Sequence, residues 1–115
     1  MSDIMSNQEM VQIVCYIPKE NANELRLTLS QVTKLYDMYD SVSHSTPCIC
    51  RFRPLPGSNP AIGVIGELTV VEEEKIEVSI YKSKIKEVVQ AILSVHPYET
   101  PVILVIPFLD YRTFI

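Results

Sequence analysis

The length, composition and charge of the chain exclude several classes of function. Its 115 residues suffice for one domain with a real hydrophobic core and are too few for two. The net charge is −4 and the basic residues are dispersed, so we expect no nucleic-acid partner, which would need a basic stripe. Only two histidines are present, so a complete dinuclear metallohydrolase site is not expected within the chain.

The start of the chain and its cysteines predict a cytoplasmic protein. Residues 1–9 are polar and form no apolar signal segment, and no apolar run is long enough for a membrane helix. The cysteines number three, which fits a reducing compartment better than a disulfide framework. We therefore expect a flexible segment over 1–9 within a single domain over 1–115, with no membrane contact.

The first half of the chain predicts a strand, a helix and a second strand. Met10–Pro18 is rich in β-forming residues and ends at a proline, as strands often do. Over 20–36, apolar residues recur every three or four positions, which predicts a helix. The loosely alternating segment 36–46 predicts a second strand. Four prolines and two glycines over 47–63 then predict a long ordered loop.

The second half of the chain predicts a strand, a helix and a final strand. Residues 72–75 are all charged, which indicates a turn or a solvated strand end, and a half-buried strand follows over 76–80. Apolar residues at helical spacing over 82–95 predict a helix that ends before Pro97. The apolar stretch 101–108 predicts a strand covered on both faces.

This order of elements predicts an α+β fold of the ferredoxin-like βαββαβ type. Right-handed crossovers place the four strands in one antiparallel sheet with both helices on one face. The other face is left bare, and its apolar residues, such as Val14, Val102 and Leu104, need cover. Contact between sheets of several copies is the simplest cover, so we expect a homo-oligomer.

Three motifs resemble a known domain. They are YDSVSHST at 39–46, FRPLPGSNPAIGVIGEL at 52–68 and HPYETP at 96–101. They are similar to the YqfO-type insert of the Nif-three-like family, a domain related to the CutA and PII-like proteins, over roughly 11–108. The resemblance implies the ferredoxin-like fold and a trimer. In longer family members a separate body binds two metal ions and is described as cyclohydrolase-like, and that activity is not expected of this chain.

Cys48 and Cys50 occupy a place where the family usually has a glycine-rich stretch. Two thiols at this spacing suit a soft metal ion such as Cu(I), or a divalent ion such as Zn²⁺ with further ligands, and His44 is a nearby candidate. The alternative is that both cysteines are small buried hydrophobes on one face of a strand. Both interpretations stay open, and the cofactor remains unassigned.

The corner between the second helix and the last strand carries His96, Tyr98 and Glu99. In a structural interpretation, His96 lies at the helix C-terminus, where positive charge is favoured. Tyr98 packs on the core, and Glu99 pairs with Arg53 and so ties the long loop to the corner. In a functional interpretation, the same four residues line a cleft between protomers that binds a small anion or metabolite. Both interpretations stay open.

These observations predict a non-enzymatic, oligomeric PII/CutA-like module that binds a small ligand, a metal ion or a partner protein at protomer boundaries. One alternative is a soft-metal binding protein that uses Cys48 and Cys50. A second alternative is a minimal metal-dependent hydrolase. The sequence contains no nucleophile elbow, phosphate-binding loop or metal-binding helix motif, so no catalytic residue is assigned.

Overall fold

The described residues of the chain form one four-stranded sheet and two α-helices. A computed structural model describes residues 9–33 and 38–115. The strands are β1 (Met10–Pro18), β2 (His44–Phe52), β3 (Thr69–Tyr81) and β4 (Ile103–Phe108), and the helices are α1 (Ala22–Ser30) and α2 (Ile85–Val95). Short 3-10 turns precede both helices and another follows β4, over Tyr111–Phe114. In the described part of the chain, no helix has the length and apolar character needed to cross a membrane.

The sheet has the strand order that the sequence predicts for a ferredoxin-like fold. The strands lie in the order β2-β3-β1-β4, and all three neighbouring pairs are antiparallel. Ile13 of β1 stands opposite Val78 on one side and Val105 on the other. The predicted fold class is therefore confirmed, with β2 and β4 as the two edge strands.

The core lies between one face of the sheet and one stripe of each helix. Alternate residues of β1 point toward the helices, and Ile13 and Ile17 are fully buried. Leu25 of α1 and Ile92 of α2 belong to the same buried cluster. Complete burial of such a side chain contributes about 1.5–3 kcal/mol. The apolar stripes seen in the sequence thus hold both helices against the sheet.

The second strand lies further along the chain than the sequence predicts. It was expected over 36–46, of which 36 and 37 lie outside the described residues, and β2 in fact spans His44–Phe52. Pro47 is part of it and stands opposite Glu74. An edge strand accommodates proline because only one of its sides is paired. The prediction of a loop over 47–63 was therefore wrong for its first six residues, and the loop covers 53–68.

Glu9 belongs to the folded part of the chain. The prediction of a flexible segment over 1–9 otherwise lies outside the described residues. The backbone carbonyl of Glu9 accepts a hydrogen bond from the Lys82 N–H at 2.8 Å, and the two side chains form an ion pair at 3.2 Å. These two contacts fix Glu9 beside the end of β3.

The last strand is exposed, whereas the sequence predicts a strand covered on both faces. Leu104, Val105 and Ile106 of β4 each expose 42–43% of their surface. The prediction was wrong for the single chain because β4 is an edge strand. The described chain therefore presents an apolar edge, which natural sheets usually cover or interrupt.

β3 changes its buried face halfway along its length. Ile76 and Val78 are buried on the side of the helices, whereas Val71 and Glu73 are buried on the opposite face. The change occurs where β1 ends, because Pro18, its last residue, stands opposite Glu73. At Val71 and Glu73 the buried side of β3 is therefore the face that points away from the helices, called the open face. The candidate site lies on this part of the open face.

Candidate functional site

The candidate site is a small pocket on the open face of the sheet. Cys48 of β2 stands opposite Glu73 of β3, and Cys50 points to the same face because side chains alternate along a strand. The corner that follows α2 supplies Tyr98 from the other side. The pocket has a volume of about 220 Å³ and is lined by Tyr16, Cys48, Ile49, Cys50, Glu73, Tyr98 and Val102.

Glu73 is the buried acidic group of this pocket. It is only 2% exposed, and the Tyr98 hydroxyl donates a hydrogen bond of 2.7 Å to its Oε2. A buried carboxyl group needs such a partner to offset the loss of water. Burial raises the pKa of Tyr98, and the hydrogen bond to Glu73 raises it further. The Tyr98 hydroxyl therefore keeps its proton and acts as a donor.

Glu73 was not among the residues predicted for the site. The charged run at 72–75 was interpreted as a turn or a solvated strand end, but it lies inside β3. A signal was present in the alternation. Val71 and Glu73 occupy the same face, so a strand that begins before residue 71 points Glu73 to the side of an apolar residue. The three consecutive glutamates at 72–74 instead led to the prediction that the segment is exposed to solvent.

His96 joins the corner to the central strand. Its Nε2 lies 2.6 Å from the Tyr16 carbonyl oxygen, and its Nδ1 accepts the Tyr98 backbone N–H at 3.2 Å. Because the Tyr98 N–H donates to Nδ1, the Nε2–H is the group that donates to the Tyr16 carbonyl. The predicted end of the helix is confirmed, since α2 ends at Val95. His96 is the C-cap residue of α2, as predicted, and its backbone N–H donates to the Ile92 carbonyl at 2.9 Å. Its ring does not cap the helix but bonds to β1.

Tyr98 is packed between two other rings. Its ring centroid lies 5.8 Å from that of Phe52 in an edge-to-face arrangement, and 5.1 Å from that of His96. Aromatic pairs of this kind contribute about 0.5–1.5 kcal/mol beyond the area that they bury. Two of the predicted site residues, His96 and Tyr98, are thus brought together, and the His96 ring supports Tyr98, which lines the pocket.

Glu99 ties the long loop to the corner, but through a different partner from the one predicted. Its Oε2 accepts the backbone N–H of Asn59 at 2.7 Å. Within residues 9–33 and 38–115 no ion pair joins it to Arg53, whose side chain is exposed. The Arg53–Glu99 pair was a wrong prediction, because the backbone of the loop is nearer to the carboxylate. Arg53 and Glu99 do not line the pocket.

The structure places Cys48 and Cys50 together and leaves His44 apart. His44 shares their face but lies about 13 Å from Cys48 along β2, four residues away. Burial, followed by the nearby Glu73, raises the pKa of both thiols. Metal binding needs thiolates, so this environment opposes it. The part of the chain that is described holds no group of three His, Cys, Asp or Glu side chains arranged for a metal ion.

We expect Cys15 to react with alkylating reagents only when the chain unfolds. The residue is buried in the core, and burial raises the pKa of its thiol to about 11. Mass spectrometry after treatment with N-ethylmaleimide would measure the reaction. In urea all three cysteines should be labelled, which provides the control. Rapid labelling of Cys15 in the native protein would contradict the buried position of β1.

Replacement of His96 by phenylalanine should lower the free energy of unfolding by about 2–3 kcal/mol. The substitution keeps a ring of similar size but leaves the Tyr16 carbonyl and the Tyr98 N–H without their partner. Urea unfolding would measure the loss. His44→Phe is the matched control, since His44 is exposed. A similar loss of unfolding free energy in both variants would contradict the structural role of His96.

The stability of the protein should fall as the pH rises above about 10. The ordinary pKa of a tyrosine, 10.0, applies to the unfolded chain, and the pKa of Tyr98 in the folded chain is higher. Between the two values only the unfolded chain has lost the proton, so rising pH favours unfolding. Urea unfolding between about pH 8 and 11 should give a steeper decline for the parent than for Tyr98→Phe, by at most about 1.4 kcal/mol per pH unit. Equal slopes would contradict the buried donor.

Comparison of sequences relates the chain to much longer proteins. No family model matches it. It is 35% identical over 89 residues to a Bacillus subtilis protein named GTP cyclohydrolase 1 type 2 homolog, covering 76% of this chain and 24% of that protein. A Staphylococcus aureus protein of the same name is 33% identical over 102 residues, covering 86% of this chain and 28% of that one. The chain therefore spans about a quarter of the length of the curated relatives it matches.

Comparison of structures gives the same relationship and adds the fold. A Bacillus cereus protein related to NIF3 superposes with a TM-score of 0.76 and 29% identity, over 90% of this chain and 26% of that one. The Archaeoglobus fulgidus periplasmic divalent cation tolerance protein CutA gives a TM-score of 0.64 and 20% identity, over 91% of this chain and 90% of that one. The second similarity concerns the fold alone. The chain is therefore a NIF3-like domain with the CutA/PII-like fold.

Proposed function

We propose that the chain is a non-enzymatic module that assembles into a homo-oligomer, with a trimer favoured, and binds a small ligand, a metal ion or a partner protein at the boundary between protomers. The observation that carries this proposal is the apolar edge of β4, where Leu104, Val105 and Ile106 are exposed. Contact with another copy would cover this edge and remove an unpaired strand. The trimer is proposed from the resemblance to CutA and PII-like proteins.

The pocket at Glu73 lies beside the same edge. Val102 lines the pocket and immediately precedes β4, and Tyr16 of the pocket donates its backbone N–H to the Val102 carbonyl. An interface between protomers along β4 would therefore lie next to the opening of the pocket. We propose that Tyr98 and Glu73, supported by His96, build the wall of this site. Arg53 contributes from the loop and Glu99 from the corner that holds the loop.

The chemistry of the pocket favours binding over catalysis. A nucleophile or general base needs a pKa suited to neutral pH. Burial raises the pKa of Cys48, Cys50 and Tyr98 instead, which leaves each group protonated and weakly nucleophilic. The soft-metal and hydrolase alternatives receive no such support. We further propose that residues 1–115 form one domain, located in the cytoplasm.

Native mass spectrometry of the untagged protein tests the assembly and its contents together. We expect a trimer for the parent and a monomer for Leu104→Glu, because a charge on β4 cannot be buried between copies. Leu27→Glu is the control, since Leu27 is exposed on α1, away from the edge. A parent protein that is still monomeric at about 10 μM, a concentration above the Kd of any assembly of micromolar or tighter affinity, would refute the proposal. A retained metal ion would favour the soft-metal alternative.

A further inference from the structure

We propose that the segment after β4 of one copy inserts Phe114 into the Glu73–Tyr98 pocket of the next copy. The segment, called the post-β4 segment, comprises residues 109–115. This inference rests on the proposed homo-oligomer and names what occupies its boundary pocket. It assigns to each copy one pocket and one apolar side chain that fills the pocket of a neighbour.

The size and lining of the pocket suit one apolar side chain. Its volume of about 220 Å³ lies below the roughly 300–1,000 Å³ that is usual for sites of small molecules. Most of the lining is apolar or consists of thiols. Its one carboxyl group, Glu73, already accepts the hydroxyl of Tyr98. An aromatic ring without polar atoms therefore fits better than a charged metabolite.

The post-β4 segment presents large apolar side chains in an ordered turn. The Asp110 side chain accepts the backbone N–H of Arg112, and Arg112 also contacts the sulfur of Met10 at 3.8 Å. These contacts hold the segment at the start of β1. Its exposed residues, with their exposed fractions, are Leu109 (78%), Tyr111 (69%), Phe114 (68%) and Ile115 (94%).

The segment cannot reach the pocket of its own chain. The pocket contains Val102, just before β4, whereas the segment follows Phe108 at the other end of that strand. The six residues of β4 separate the two by about 20 Å. Arg112 keeps the segment beside Met10, the first residue of β1. The occupant must therefore come from another molecule.

The area that this contact offers matches that of a stable interface. A stable complex buries about 800 Å² on each partner. An aromatic side chain supplies about 150–250 Å² when fully buried, so the exposed parts of the post-β4 segment offer on the order of 500 Å². The exposed edge of β4 supplies much of the rest. The contact joins different surfaces of two copies, and such contacts form a ring when the rotation between successive copies closes, as in the proposed trimer.

The reactivity of the pocket thiols tests the insertion directly. A neighbour's ring over Cys48 and Cys50 should protect them from N-ethylmaleimide in the assembled protein. Phe114→Ala should raise their alkylation rate by about tenfold. Leu27→Ala is the matched control, because Leu27 is 67% exposed and Phe114 is 68% exposed, and it should leave the rate unchanged. Adding a synthetic peptide of residues 109–115 to Phe114→Ala should restore protection.

Native mass spectrometry on the same samples separates the two proposals. A trimeric parent whose thiols react equally fast with and without Phe114 overturns the insertion and leaves the oligomeric module standing. A monomeric parent overturns the oligomeric module itself. A retained small molecule that protects the thiols in Phe114→Ala identifies a different occupant and also overturns the insertion. If the Phe114→Ala variant is no longer a trimer, the peptide of residues 109–115 provides the test. Failure of this peptide to protect Cys48 and Cys50 would also overturn the insertion.

Discussion

Replacement of Tyr98 by phenylalanine will lower the free energy of unfolding by about 2 kcal/mol. The substitution removes one oxygen and leaves Glu73, which is 2% exposed, without the donor that it holds at 2.7 Å. A buried polar group left without its partner costs about 1–3 kcal/mol. The contact of the aromatic ring with Phe52 is retained, so the loss reports the hydrogen bond. Urea unfolding at neutral pH is the measurement.

A second substitution in the same pair distinguishes a hydrogen bond from general packing. Glu73→Leu combined with Tyr98→Phe replaces both partners with apolar groups, which is often close to neutral. We therefore expect the double variant to be more stable than Tyr98→Phe alone, by about 1 kcal/mol. Tyr81→Phe is the control, because Tyr81 is a half-buried tyrosine at the end of β3, the strand that carries Glu73. It should change the free energy of unfolding by less than about 0.5 kcal/mol. Losses that simply add in the double variant would show that the two groups act independently.

The fold could be predicted because its core follows simple periodicities. The stripe that buries Leu25 and the alternation that buries Ile76 both appear in the sequence, and both determine which face meets the core. The start of β2 could not be predicted in this way. Pro47 argues against a strand unless the strand is known to lie at an edge, and strand order depends on contacts distant in sequence.

The candidate site was predictable only in part. The motif at 96–101 correctly identified the corner, and His96 and Tyr98 do line or support the pocket. The partners of the corner come from distant strands, and Glu73 is separated from Tyr98 by 25 positions. A charged run predicts solvent exposure. The alternation of Val71 and Glu73 points to the opposite conclusion, but the burial of Glu73 also depends on β1 ending opposite it. Pairing across the sheet therefore determines the site, and a single sequence does not give that pairing.

The long loop over 53–68 depends on one glycine more than on the others. Gly63 has a φ of +101°, and a Cβ at this position would lie 2.5 Å from the Thr69 hydroxyl oxygen. Thr69 begins β3 and stands opposite Phe52, whose ring contacts Tyr98. A side chain at Gly63 would therefore force the Thr69 side chain, or the start of β3 that carries it, to move. Gly57 has a similar φ of +97°, but no atom lies within 4 Å of its Cβ position.

We expect Gly63→Ala to lower the free energy of unfolding by roughly 3 kcal/mol or more. The backbone conformation alone costs about 1–3 kcal/mol for a residue with a side chain, and the contact with Thr69 adds the cost of overpacking. Gly57→Ala is the matched control and should lose only the first of these amounts. Adding Thr69→Ala to Gly63→Ala removes the hydroxyl oxygen and should bring the loss closer to that of Gly57→Ala. Urea unfolding of the four proteins measures these differences, and equal losses at the two glycines would mean that the loop yields at Gly63 without moving β3.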